Sequence, residues 1–202
     1  MKKLLCLVVT AAIALGMATG CEYFDHKTPR RNNFFRTADG KTFSMTYQDF
    51  FTSFNSRVEP VSKVGEVDYQ DLGLPTSNVV YEYLTAEGKS VSSFWLYVSS
   101  ESKKDRIYSI DHALWLGRSD ETERQQWVER VRALIQSIDQ DMDDKEREKL
   151  MKKLGVFKYA DLEDGYSKGV DLYGIHYGLH YDLRPQQDGG GRVEFSCRPS
   201  WD

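Results

Sequence analysis

Apolar positions along the chain recur with two different periods, and the switches between them outline the elements. Tyr47, Phe50, Phe51, Phe54 and Val58 fall on one face of a helix, which predicts a helix over 47–57. Thr46 stands at its N-cap with Asp49 three residues on, Met45 is placed to staple onto Phe50, and Pro60 stops the run soon after. Three β-rich stretches follow, 78–84, 91–99 and 106–116, separated by the polar turns 85–90 and 99–105, as in an antiparallel meander. Period 3.6 then returns. Trp127, Val128, Val131, Leu134, Ile135 and Ile138 form a continuous stripe on a helix over 120–140 whose first turn is acidic. A further helix, 143–154, ends in Lys152, Lys153 and Gly155, a favourable C-terminus. Period 2 closes the chain, with Tyr173, Ile175, Tyr177, Leu179, Tyr181 and Leu183 alternating with small or polar residues before the loop 184–191 turns into 192–197.

The order α-βββ-αα-ββ predicts an α+β fold, in which antiparallel sheet is packed by about three helices. We expect one domain over 43–202. A division into two helix-plus-sheet halves, 43–118 and 119–202, is the alternative, although no residue-level repeat supports a duplication.

The first 20 residues have a different grammar. Lys2 and Lys3 precede an apolar stretch from Leu4 to Met17, and the small residues Ala18, Thr19 and Gly20 lead to Cys21. This is the order of an export signal, and the stretch falls short of the roughly 20 residues of a permanent membrane span. Ala18-Thr19-Gly20-Cys21 resembles the lipobox of bacterial lipoproteins, with Ala18 where that family most often has Leu. The resemblance covers these four residues only. It implies that 1–20 is removed, that Cys21 carries lipid, and that 21–42 is a lipidated N-terminus and tether, polar and basic around Pro29–Asn33. The rival at the same bond is ordinary signal-peptidase cleavage, which leaves a free Cys21. Several acyl chains, each burying methylenes at about 0.8 kcal/mol apiece, would hold such a protein on its membrane. Glu22, where enteric bacteria place an inner-membrane retention Asp, implies the outer membrane facing the periplasm in a Gram-negative cell.

Charge and cysteines narrow the function classes. The chain has 27 basic and 31 acidic residues, and losing Lys2 and Lys3 leaves 25 against 31, with no basic footprint for nucleic acid. Cys6 leaves with the signal and Cys21 takes lipid, so Cys197 has no disulfide partner; its place in an alternating strand points it into the core.

Several catalytic spellings fail on context. Gly165-Tyr166-Ser167-Lys168-Gly169 matches a nucleophile elbow, but an acidic segment precedes it and a strand follows, so it reads as a turn. Ser100-Glu101-Ser102-Lys103 lacks the companion boxes of an S-x-x-K enzyme. Gly88-Lys89-Ser90 has Tyr83 where a phosphate loop needs its opening glycine. Asp139, Asp141 and Asp143 begin like a calcium loop, yet Asp144 and Leu150 occupy its glycine and glutamate positions. The remaining candidates are His176, His180 and Asp182, which share one face of one strand. His176 and His180 would lie roughly 13 Å apart at about 3.3 Å per residue, too far to share a metal. His180 and Asp182 could cooperate, with His112 from a neighbouring strand, although His112 sits among Ile110, Leu114 and Trp115 as a packing residue does.

With no complete catalytic set, no metal ligand set and no cofactor motif, the expectation is a non-catalytic envelope module that binds a protein or cell-wall ligand through its sheet, an inhibitor or immunity protein being one form. The alternative is an envelope hydrolase using His180 and Asp182 with His112. The 12 Tyr, 10 Phe and 4 Trp supply both core and surface anchors, and a residue such as Trp201 suits either.

Overall fold

A computed structural model describes residues 34–37, 40–71, 76–99, 105–184 and 190–200. The lipobox with Cys21, most of the expected tether, the 100–103 motif and Trp201 lie outside the described residues.

Fourteen short and long elements follow one another among the described residues. A hairpin of β1 (Phe34–Thr37) and β2 (Gly40–Phe43) precedes helix α1 (Tyr47–Asn55) and a 3-10 turn at Pro60–Ser62. Next come β3 (Asp68–Gln70), β4 (Thr76–Leu84), β5 (Ser90–Ser99) and β6 (Arg106–Trp115). Helices α2 (Glu121–Ile138) and α3 (Asp144–Leu154) and a 3-10 segment, Val156–Asp161, lead to β7 (Ser167–Leu172), β8 (Ile175–Arg184) and β9 (Gly190–Pro199). Seven strands form one antiparallel sheet in the order β3-β4-β5-β6-β9-β8-β7. The protein is therefore α+β, as the alternating periods imply.

The helix ends follow their sequence signals. Thr46 Oγ1 accepts from the Asp49 N–H while Asp49 reaches back to the Thr46 N–H, a complete capping box. Asp120 and Asp143 cap α2 and α3 by accepting from the Glu123 and Glu146 N–H groups. Gly155, at φ 92°, ends α3 in the left-handed region that a side chain would resist. Asp139 and Asp143 thus serve a helix junction, Asp139 closing α2 and Asp143 opening α3.

The three helices of the described residues lie on one face of the sheet. Phe50, Phe51 and Phe54 of α1 meet Phe94 of β5 edge to face at 5.1–6.2 Å between centroids. Trp127, Val131, Leu134, Ile135 and Ile138 of α2, and Leu150, Met151 and Leu154 of α3, join the same core as Leu96, Ile110, Leu114, Tyr177, Leu179, Val193, Phe195 and Cys197. Two arginines are buried among the described residues, Arg147 of α3 and Arg130 of α2, and the second is built into this layer. Arg130 of α2 lies 3.7 Å from the Tyr83 ring centroid, donates to Ser92 Oγ and Gln126 Oε1, and pairs with Glu123 at 3.2 Å. Tyr83 in turn donates to the Ser62 carbonyl at 2.7 Å, which ties the 3-10 turn to β4 and α2. Burial pushes the Tyr83 hydroxyl well above the ordinary phenol range.

Three features add to the sequence pattern. The expected tether, 21–42, overlaps the β1–β2 hairpin, which pairs from Phe34↔Phe43 to Thr37↔Gly40, with Thr42 and Phe43 buried. The strands of 43–118 and of 119–202 are joined through β6 and β9, from Ile110↔Cys197 to Trp115↔Arg192, and so belong to one sheet. Two edge strands, β3 and β7, complete it, and the elbow-like serine, Ser167, opens β7 just after a turn at Gly165 with φ 76°.

Candidate functional site

Because the helices cover one face, alternate residues of every strand point to the opposite, open face. The register lines them up in rows. Val80, Trp95, Asp111, Ser196, Gly178 and Gly169 are successive cross-strand partners from β4 to β7. Beside this row stand Tyr97↔Ser109 and, across β9–β8–β7, Arg198↔His176↔Asp171. On its other side run Ala113↔Glu194↔His180↔Ser167 and Trp115↔Arg192↔Asp182. The open face is thus aromatic on β5 and at one end of β6, and charged over β9 and β8.

Small residues at the centre of these rows leave a depression of about 280 Å³ lined by Ser109, Asp111, His176, Glu194, Ser196, Cys197 and Arg198. Its shape depends on two glycines. A Cβ on Gly178 would come within 2.7 Å of Ser196 Oγ, and one on Gly169 within 2.6 Å of the His176 ring. Their absence lets the imidazole lie across β7, where Nδ1 meets Asp171 Oδ1 at 3.0 Å. A carboxylate only accepts, so Nδ1 donates in that bond.

The electrostatics of the depression are balanced by opposing groups. Burial, and secondarily the negative charge of Glu194, push the Asp111 carboxyl up to about 7, against the opposing pull of Arg192 and Arg198. Glu194 is hydrogen-bonded to Arg192, whose guanidinium also lies 5.4 Å from the Trp115 ring centroid; Arg118 lies 5.3 Å from the same ring. Four groups keep unused hydrogen-bonding capacity. The hydroxyls of Ser109 and Ser196, the Asp111 carboxyl and the Arg198 guanidinium make no hydrogen bond to another described residue.

The candidates read from the sequence are divided by the sheet. His180 is exposed on the open face, with Asp182 beside it. His112 is fully buried on the helix face, stacked at 4.0 Å on Phe94 and 6.0 Å from Trp127. Its Nδ1 donates to the Ser93 carbonyl at 2.9 Å, and burial, reinforced by Arg130, holds it neutral well below the usual histidine range. His112 therefore does not converge with His180 and Asp182, because neighbouring positions along β6 alternate faces and Asp111, not His112, has the outward one. Cys197 is a core residue as expected, its thiol raised well above its usual value by burial. His176 has a partner, Asp171, supplied by a strand that the hydrophobic pattern does not mark. No group of three or more His, Cys, Asp or Glu residues suited to hold a metal occurs among the described residues.

Sequence reasoning missed Asp111, Glu194 and Arg198. A signal for the first existed: a carboxyl between Ile110 and His112, inside a strand, needs an outlet on the other face.

No protein-family model matches the chain, and the comparisons with curated proteins and with solved structures give no match either.

Proposed function

We propose that the protein is a lipoprotein of the bacterial envelope, anchored through Cys21, whose domain is a non-catalytic binding module that presents the open face of its sheet to a partner or cell-wall ligand. The observation that carries this reading is the asymmetry of the sheet. One face is sealed by three helices, while the other carries Trp95, Tyr97 and Trp115 beside the charged rows of β9 and β8. Aromatic residues and arginines side by side are the side chains that most often dominate binding energy. An inhibitor or immunity role needs no more than such a surface. The hydrolase alternative loses support from the position of His112, behind the sheet from His180 and Asp182.

Photo-crosslinking in cells tests the surface. A benzophenone amino acid replacing Tyr97, which is 37% exposed, should give discrete adducts, and the same group replacing Glu129 on α2 should not. Equal labelling, or none, refutes the sheet-face reading. For the anchor, a clickable fatty acid should label the wild type and not Cys21→Ser; equal labelling of both rejects lipidation at this cysteine.

A further inference from the structure

The depression on the open face has a chemistry narrower than that of a general binding surface, and resting on the sheet-face reading we infer that it takes an uncharged pyranose oligosaccharide. Its hydrogen-bonding groups are of both kinds. Asp111 accepts, Arg198 donates, and Ser109 and Ser196 do either, and none of the four is satisfied by a described residue. Sugar hydroxyls, which donate and accept at once, match such a mixed set. A cation would meet Arg198 and Arg192, and an anion would meet Asp111, Glu194 and Asp171, so neither sign of charge is welcome. A metal ion lacks three suitable ligands among the described residues.

The aromatic side supplies the second half of the argument. Trp95 is the direct cross-strand partner of Asp111, and Tyr97 that of Ser109, so both rings adjoin the polar depression on the same face. Trp95 is half-buried and Tyr97 exposed. A pyranose ring has one face of C–H groups and an equator of hydroxyls. Laid beside β5, it places the first against an aromatic ring and directs the second to Ser109, Asp111, Ser196 and Arg198. Gly178 and Gly169 make room for Ser196 Oγ and the His176 ring, which bound the depression on the β8 side and offer further polar groups to an oligosaccharide.

The test uses the full-length protein in a sugar-free detergent, exposed to an array holding neutral, acidic and aminated oligosaccharides, N-acetylchitotetraose, cellotetraose and xylotetraose among the neutral ones. Hits are then titrated by tryptophan fluorescence. The expected result is binding of a neutral oligosaccharide that weakens at least about tenfold, about 1.4 kcal/mol, in both Trp95→Ala and Arg198→Ala. Glu129→Ala, behind the sheet, should bind as the wild type does. Arg198 is exposed and makes no hydrogen bond to a described residue, so its variant keeps the fold even if Trp95→Ala does not. Binding of charged oligosaccharides only, no neutral binding at millimolar concentration, or unchanged affinity in Arg198→Ala overturns the inference. Adducts at Tyr97 without any oligosaccharide binding would sink the glycan and leave the sheet-face reading standing; absence of both would remove the two together.

Discussion

Replacing Asp111 by Asn should stabilise the protein, and by an amount that depends on pH in a defined direction. The carboxyl is mostly buried in the depression, has no hydrogen bond to a described residue, and lies close to Glu194. Its folded value of about 7 stands above the ordinary 3.8, so between these limits the folded state binds more protons than the unfolded one. Stability therefore falls as pH rises through that window, and the loss is complete above it. At about 1.4 kcal/mol per tenfold change in acidity the full difference corresponds to about 4 kcal/mol, and solvent reaching the partly open site lowers this to between about 2 and 4 kcal/mol. Asn keeps the shape and carries no charge. Urea melts of wild type and Asp111→Asn should accordingly differ least near pH 4, with the variant gaining about 2–4 kcal/mol by pH 8. A difference that does not change with pH, or a variant less stable at pH 8 relative to pH 4, would refute the account of Asp111 as a desolvated carboxyl.

Trp127 is fully buried and donates to the His112 carbonyl at 3.3 Å, so Trp127→Ala should cost about 3–5 kcal/mol in the same melts. Arg130→Ala removes the partner of Glu123 and leaves a hole beside Tyr83; a loss of about 3 kcal/mol or more is expected, and a loss below about 1 would mean that the buried cation is dispensable. His180→Ala, on the exposed side of β8, should change stability by less than about 1 kcal/mol. Zinc added to chelator-treated wild type should leave the thermal midpoint where it was, and a shift lost in His180→Ala would reopen the hydrolase reading.

What could be read from the sequence was local. The box at Thr46 and Asp49, the Trp127 stripe, Gly155 and the alternation of 173–183 each declare an element within a few residues, because caps and periods are local physics. β7 was not legible, since Lys168, Gly169 and Asp171 are poor strand formers that pair only because β8 offers an edge. Nor was the β1–β2 hairpin, whose Phe43 is buried by contacts made far along the chain. The site suffered most from this limit. It needs β6 beside β9, a pairing of Asp111 with Ser196 that no local signal announces, and the same pairing decides that Asp111 and Glu194 are neighbours while His112 and His180 are not.

β9 is the last described strand in the chain, yet it lies inside the sheet, between β6 and β8. Until it is in place, a nascent or truncated chain holds two separate β ribbons, each with a raw edge, and the apolar surface that Val193, Phe195 and Cys197 would cover stays open. Closing the seam brings together segments separated by two helices, a long-range step that pays its loop entropy before its contacts form. The sheet therefore cannot finish folding during synthesis of its own first half, and a stop before residue 190 would yield an aggregation-prone product rather than a smaller stable domain.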